Sequence, residues 1–142
     1  MQEIITKTPI ETEDLGLKLA RDLKTGDIVV LTGVLGAGKT VFSRGIAKGL
    51  NIKSRVISPT FVLVRKHRGK LNGLKINLYH IDLYRLENAN DIASLGLEDI
   101  FEDTNGIFLI EWGKKDENLH ASWEIEIETV GENKRRIKIN HE

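Results

Sequence analysis

The 142-residue sequence contains no cysteine, only two prolines and no long apolar run. Without cysteine the chain can form neither a disulfide framework nor a thiolate metal site, which fits a reducing compartment. No apolar stretch approaches the roughly 18 residues that a membrane span needs. The N-terminal segment also lacks the basic and apolar regions of a secretory signal. We therefore expect a cytoplasmic protein that is not associated with a membrane.

Negative charge is missing from one large part of the chain. Lys plus Arg and Asp plus Glu total 21 each, so the net charge gives no support for strong nonspecific binding to nucleic acid. However, no acidic residue lies between Asp27 and Asp82, an interval with ten Lys or Arg, whereas residues 82–128 hold thirteen acidic residues. Such blocks are either solvated surface, or a basic half that meets phosphates and an acidic half that supplies metal ligands or a partner face.

The order of the predicted elements favours an α/β fold. Apolar runs at residues 28–31 and 107–110 are typical of strands buried on both faces of a parallel sheet. With no linker or repeat in sight, we expect one domain spanning residues 1–142. The predicted elements are a strand at 3–7, a helix from the N-cap Thr12 to Leu23, a strand at 28–31, a helix at about 39–50, strands at 61–66 and 74–81 around a turn at 69–73, a helical patch near 90–101, a strand at 107–110 and a closing antiparallel hairpin of 123–130 with 136–140.

The strongest chemical signal follows the strand at 28–31. Residues 33–40 read GVLGAGKT and fit the phosphate-loop pattern G-x-x-x-x-G-K-[ST] between a strand and a helix, which disfavours a chance glycine-rich turn. The glycines let the backbone curl so that N–H groups point into one concavity at a helix N-terminus. Lys39 is expected to reach the β- and γ-phosphates, and the Thr40 hydroxyl to bind Mg²⁺. The candidate nucleotide-binding residues are Gly33, Leu35, Gly36, Ala37, Gly38, Lys39, Thr40 and Val41.

Two acidic residues end strands that can face this loop. Glu111 follows the uninterrupted run 107–110, so its carboxylate is expected at the carboxyl edge of the sheet and is the first candidate for the Mg²⁺ ligand beside Thr40. Asp82 ends a strand of mixed character and is expected to orient water or to support the metal. The candidate catalytic residues are therefore Lys39, Asp82 and Glu111. For either acid alone, an ordinary surface strand end is the alternative.

Five sequence blocks occur together in this chain: GVLGAGKT at 33–40, SPTF at 58–61, HIDLYR at 80–85, LGLED at 95–99 and IEW at 110–112. In this combination the chain resembles the TsaE (YjeE) family of small bacterial ATPases. The resemblance implies a single-domain P-loop NTPase fold whose mixed, largely parallel sheet is flanked by helices and ends in an antiparallel hairpin. It also implies binding of ATP or ADP with Mg²⁺, and a role in the threonylcarbamoyl modification of the adenosine beside the anticodon of certain tRNAs.

The resemblance also implies partners and roles for single residues. The partners are the TsaD and TsaB proteins, with tRNA contacted directly or only through that complex. Asp82 and Glu111 match the family's two functional acids, and Thr60 matches a switch-like loop that senses the γ-phosphate. Arg85 is a second switch candidate, for which a surface ion pair is the alternative.

Four further positions bear on this interpretation. Val34 stands where the family usually has an acidic residue, and Val41 where it usually has a second threonine, but neither change removes the backbone cradle. His80 is expected to be a packed strand residue rather than a proton carrier. Trp112 is either a core residue or a contact to the nucleotide or a partner.

Rival functions are less consistent with the residues. A GTPase needs a guanine-reading Asn-Lys-x-Asp, and the nearest string, at 113–116, is GKKD. A small-molecule kinase needs a lid and an acceptor pocket, for which 142 residues leave little room. A nonhydrolytic nucleotide-binding module would use the same cradle and is the main alternative. We expect an ATPase that is weak alone and depends on its partners.

Overall fold

The computed structural model describes residues 1–34, 36–54, 64–84, 86, 91, 96–112, 116 and 119–142. These residues form ten elements built around one sheet. In chain order they are β1 (Gln2–Thr6), α1 (Pro9–Ala20), β2 (Ile28–Thr32), α2 (Lys39–Gly49), β3 (Val64–Leu71), β4 (Leu74–Asp82), α3 (Leu97–Phe101), β5 (Gly106–Glu111), β6 (Trp123–Thr129) and β7 (Arg135–His141).

The sheet has seven strands in the order β1-β7-β6-β2-β5-β4-β3. The four strands β6, β2, β5 and β4 are parallel to one another, while β3 pairs with β4 in an antiparallel hairpin and β7 pairs antiparallel with both β6 and β1. All six residues of β5 are buried, as its apolar sequence predicts for a central strand. The predicted mixed sheet with a C-terminal antiparallel hairpin is confirmed.

The two faces of the sheet carry different cores, because alternate residues of a strand point to opposite sides. Ile107 and Leu109 of β5 belong to the larger core, which also contains Phe42 and Ile46 of α2 and Leu19 of α1. Ile110 belongs to the smaller core on the other face, together with Ile81, Leu83 and Leu97. Helices therefore flank the sheet on both sides, as expected for this fold class.

The first helix begins earlier than the sequence interpretation placed it. Thr8, not Thr12, is the N-cap, and its hydroxyl accepts the N–H of Glu11 at 3.1 Å. Pro9 occupies the first helical position, where its fixed φ suits a helix and its missing N–H costs nothing. Thr12 instead lies inside the helix, with its hydroxyl 2.7 Å from that of Thr6. The prediction of Thr12 as N-cap was wrong because Thr8 followed by Pro9 is the stronger helix start.

The β3–β4 hairpin is also longer than predicted. Its strands pair up to Leu71 and Leu74, so the turn consists of Asn72 and Gly73 alone rather than of residues 69–73. Both turn residues have positive φ, 53° and 79°, which is the backbone of a two-residue turn that favours Asn-Gly. Residues 61–63 of the predicted strand and most of the predicted helical patch at 90–96 lie outside the described residues.

Glycines allow α1 and α2 to pack closely. A Cβ added to Gly45 of α2 would clash with the carbonyl oxygen of Glu13 in α1 and would lie 3.0 Å from the backbone nitrogen of Leu17. Both contacts are to backbone atoms of the neighbouring helix, which cannot rotate away as a side chain can. The spacing between the two helices therefore depends on this glycine.

We expect Gly45→Ala to lower the free energy of unfolding by about 1–3 kcal/mol, although alanine is the better helix former. The reason is that the added methyl group must push α1 away from α2. Urea denaturation followed by circular dichroism measures the change. Gly131→Ala is the control, since its Cβ would meet only the flexible side chain of Lys134 at 3.4 Å, and it should change stability by less than about 0.5 kcal/mol. Equal stability of the two variants would contradict the close packing.

Candidate functional site

The phosphate-loop sequence connects the end of β2 to the start of α2. Gly36 and Gly38 have φ of 81° and 103°, a region that side chains with a Cβ rarely occupy. Gly33 has no such φ, but a Cβ there would lie 2.7 Å from the carbonyl oxygen of Ile127 in β6. Gly38 is the residue before the first turn of α2, where N–H groups have no intrahelical acceptor. The described part of the loop thus has the backbone that an anion cradle needs.

Lys39 lies in the first turn of α2 and is 6% exposed. Its Nζ is 3.9 Å from Glu111 Oε1 and 4.3 Å from the centre of the Trp112 ring, an arrangement typical of a cation–π contact. Burial lowers the pKa of Lys39, and the carboxylates of Glu111 and Asp82 oppose that shift. The cation is therefore stabilised by the acidic groups that face it.

Asp82 and Glu111 lie side by side at the carboxyl ends of β4 and β5, where they are partners in the parallel register. Both are buried, at 9% and 3% exposure. Asp82 Oδ1 accepts the N–H of Tyr84 at 2.9 Å. Burial raises the pKa of Asp82, the Tyr84 N–H lowers it, and the charge of Glu111 raises it further. The structure thus brings together Lys39, Asp82 and Glu111, the three residues selected from the sequence.

His80 completes this cluster from within β4. It is 1% exposed, as expected for a packed strand residue, but its Nε2 also lies 2.7 Å from Glu111 Oε2. The other ring nitrogen, Nδ1, has no hydrogen-bond partner among the residues that the structure describes. The sequence carried a signal for this contact, because residues two apart in a strand share a face and His80 precedes Asp82 by two.

The available oxygen atoms fit Mg²⁺. Thr40 follows Lys39 in the first turn of α2, and Asp82 and Glu111 supply carboxylates on the neighbouring strand ends. Within the described ranges no group of three or more His, Cys, Asp or Glu could hold a metal by itself. Mg²⁺ seldom needs such a group, since it keeps several waters and is usually bound by one or two carboxylates plus phosphate oxygens.

The remaining site candidates from the sequence lie beside this cluster or outside the described residues. Val41 is half-buried in the first turn of α2. Leu35, Thr60 and Arg85 lie outside the described residues, so their predicted roles stay predictions. Trp112, besides facing Lys39, packs on Tyr84 with 5.0 Å between ring centres and has a φ of 61°. A positive φ on a bulky residue is unusual and occurs mostly where function or tight packing imposes it.

The sequence of this chain matches a known protein family over most of its length. The family model described as "Threonylcarbamoyl adenosine biosynthesis protein TsaE" matches residues 6–137, which include the loop, both acids and His80. The chain belongs to the TsaE family. The resemblance drawn from the five sequence blocks is thereby confirmed.

Individual TsaE proteins agree with this assignment. The tRNA threonylcarbamoyladenosine biosynthesis protein TsaE of Treponema pallidum is 38% identical over 111 residues, which cover 78% of this chain and 78% of that protein. The protein of the same name from Bacillus subtilis is 36% identical over 134 residues, 93% of this chain and 80% of its own length. The crystal structure of Bacillus subtilis YdiB matches with a TM-score of 0.76 and 30% identity, over 99% of this chain and 84% of that one. The predicted fold class is thus confirmed.

Among the described residues, no helix has the length and apolar character to cross a membrane.

The buried charge of Asp82 predicts a pH-dependent effect on stability. The pKa of Asp82 is raised in the folded protein, so the folded state binds this proton more tightly than the unfolded chain does. Stability therefore falls as pH rises from the ordinary carboxyl pKa of about 3.9 through the raised value. We expect Asp82→Asn to unfold at a higher temperature than the wild type at pH 7.5, by a margin that shrinks toward pH 4, in thermal denaturation without nucleotide.

Asp103→Asn is the control of opposite sign. Hydrogen bonds from Tyr79 and Asn77 lower the pKa of Asp103, so its charged form stabilises the folded state at neutral pH. This variant should be less stable than the wild type at pH 7.5, with a loss that disappears only as pH falls through the depressed pKa. If Asp82→Asn is less stable than the wild type at pH 7.5, the charged Asp82 carboxylate does not destabilise the folded protein.

Proposed function

We propose that this protein binds ATP and hydrolyses it in a Mg²⁺-dependent reaction that sustains the threonylcarbamoyl modification of the adenosine next to the anticodon of tRNAs. In this proposal it acts with the TsaD and TsaB proteins in the cytoplasm, and tRNA is reached through their complex. The observation that carries the proposal is the buried cluster of Lys39, Asp82 and Glu111 at the carboxyl edge of the sheet, beside the phosphate loop. Membership of the TsaE family and the names of its relatives supply the pathway.

The phosphate loop and Lys39 bind the nucleotide phosphates in this proposal. The loop N–H groups and the N-terminus of α2 attract the anion, and the Lys39 Nζ lies at the adjacent strand edge. In the structure this cation faces Glu111. A bound phosphate offers it a more highly charged partner, so Lys39 exchanges Glu111 for the phosphate and releases Glu111 Oε1.

The released carboxylate is then available for the metal. Thr40 and Glu111 would hold Mg²⁺, which when bound neutralises charge that develops on the phosphates. His80 fixes Glu111 through Oε2 and so keeps its other oxygen in place. Asp82 retains Oδ1 on the Tyr84 N–H, which leaves its second oxygen to orient the attacking water or to support the metal.

Hydrolysis by the isolated chain is expected to be slow. Phosphoryl transfer depends on positioning and charge stabilisation, and enzymes of this kind often receive a further cationic group from a partner. A switch role of Thr60 and Arg85 would carry the state of the nucleotide to that partner. The alternative function is a nonhydrolytic nucleotide-binding module, which the contact between Lys39 and Glu111 would equally allow. A small-molecule kinase has no comparable support.

The proposal predicts the behaviour of three variants in a steady-state ATPase assay with and without TsaD and TsaB. Wild type should be stimulated by the partners, whereas Lys39→Ala, Asp82→Asn and Glu111→Gln should each lose about 100-fold or more of the stimulated rate, because each removes a charge at the reacting phosphate. Asp82→Asn should still bind ADP, since its amide keeps the acceptor for the Tyr84 N–H. GTP should be a poorer substrate than ATP.

The control is Glu126→Gln on the exposed side of β6, which should keep the wild-type rate. Nucleotide binding without turnover, even in the presence of the partners, would reject the ATPase in favour of the binding module. Full activity of Glu111→Gln would reject the assignment of the metal ligand.

A further inference from the structure

Arg135 links the C-terminal hairpin to the phosphate loop. It is the first residue of β7, and its Nε donates a hydrogen bond to the carbonyl oxygen of Ala37 at 2.8 Å. Its Nη1 donates to the carbonyl oxygens of Lys134 at 2.9 Å and Gly131 at 3.3 Å, both in the turn before β7. The guanidinium group is thus anchored on its own hairpin and presents one N–H to the loop.

Because a peptide unit is rigid, the hydrogen bond to the Ala37 carbonyl also fixes the direction of the Gly38 N–H. The bond between Ala37 and Gly38 is trans, so the carbonyl of Ala37 and the N–H of Gly38 lie in one plane and point in opposite directions. Holding the carbonyl toward Arg135 therefore turns the Gly38 N–H away from the hairpin. A phosphate cradle needs its N–H groups turned toward the bound anion.

Local sterics do not secure this orientation. Gly38 has a φ of 103°, and glycine can adopt positive and negative φ with nearly equal ease. A rotation of this peptide would replace an N–H donor by a carbonyl oxygen, which repels an anion. Arg135 contacts this peptide from outside the loop and opposes that rotation.

The rest of the hairpin supports the same end of the loop. A Cβ on Gly38 would lie 3.4 Å from Arg135 Nε and 3.9 Å from its Cδ and Cγ, so the arginine stem covers the outer side of this glycine. The position of Gly33, at the other end of the loop, is closed by the carbonyl oxygen of Ile127 in β6. The β6–β7 hairpin thus lies against both the first and the last glycine of the motif.

We propose that Arg135 is a positioning residue of the nucleotide site: its Nε–H holds the Ala37–Gly38 peptide so that the Gly38 N–H faces the bound phosphate. This inference rests on the proposed function, since it concerns the same loop. The positioning depends on the donor at Nε, whereas the charge of the guanidinium acts on carbonyl oxygens of the turn. Donor and charge can therefore be separated by mutation.

Two substitutions separate them. In Arg135→Gln, the amide nitrogen occupies the position of Nε along the side chain, so the donor is kept and the charge is lost. In Arg135→Lys, a methylene occupies that position and the ammonium lies one atom farther along the side chain, so the charge is kept and the donor at this position is lost. The dissociation constant of ADP with Mg²⁺, measured by isothermal titration calorimetry, should stay within about threefold of wild type for Arg135→Gln and rise about tenfold for Arg135→Lys.

Two controls accompany these variants. Arg136→Gln removes the next arginine, which is 36% exposed and pairs with Glu3 at 3.0 Å and Glu128 at 3.3 Å, and it should leave the affinity for ADP unchanged. Thermal unfolding without nucleotide shows whether Arg135→Lys and Arg135→Gln are folded to the same extent, so that the affinities compare like with like.

The outcomes are distinct. Weaker binding in Arg135→Lys than in Arg135→Gln supports the positioning role. The reverse order would show that Arg135 acts through its charge on the phosphates, and equal affinities of both variants and wild type would show that the loop needs no such support; either result overturns the inference and leaves the proposed function intact. If wild type itself binds neither ADP nor ATP, the proposed function fails and this inference fails with it.

Discussion

The buried contact between Lys39 and Glu111 is the constraint on which the site depends. Each group is almost inaccessible to water, and either charge alone would be costly to bury. His80 Nε2 lies against the other oxygen of Glu111, and Asp82 adds a second carboxyl group, whose pKa is raised by burial and by the charge of Glu111. One cation thus balances a cluster with an excess of acid, an arrangement typical of functional sites rather than of structural ion pairs.

The topology explains why these groups meet. Parallel β2, β5 and β4 end at the same edge of the sheet, so the loop after β2 and the acids that end β5 and β4 are neighbours although they are far apart in sequence. An antiparallel strand at one flank of the sheet contacts the loop from outside. His80 lies on parallel β4, against Glu111, whereas β7, which is antiparallel to β6, contributes Arg135 at the phosphate loop. The parallel centre thus supplies Lys39's neighbours Asp82 and Glu111, and the antiparallel hairpin at one flank contacts the loop.

Local patterns made part of this arrangement predictable from the sequence. The complete GVLGAGKT motif, the apolar runs that mark β2 and β5, and the acids that follow strands are short-range signals. They select Lys39, Asp82 and Glu111, which the structure brings together. The errors were also local: Thr12 competed with Thr8 as a cap, and the strength of Asn72-Gly73 as a two-residue turn was missed. The hydrogen bond from Arg135 to Ala37 joins residues 98 positions apart, and nothing near either residue announces it. Such contacts depend on strand register, which one sequence does not reveal.

Under the proposed function, the same ion pair makes the site responsive to its ligand. Lys39 and Glu111, the groups to which this function assigns the phosphates and the metal, lie 3.9 Å apart and face each other. A phosphate that takes over Lys39 must offset the loss of this contact, which reduces affinity, but it also frees Glu111 at the moment when a metal ligand is needed. Because Lys39 begins α2 and Glu111 ends β5, this exchange would alter the contact between a helix and the central strand, and a partner would recognise the nucleotide through that difference.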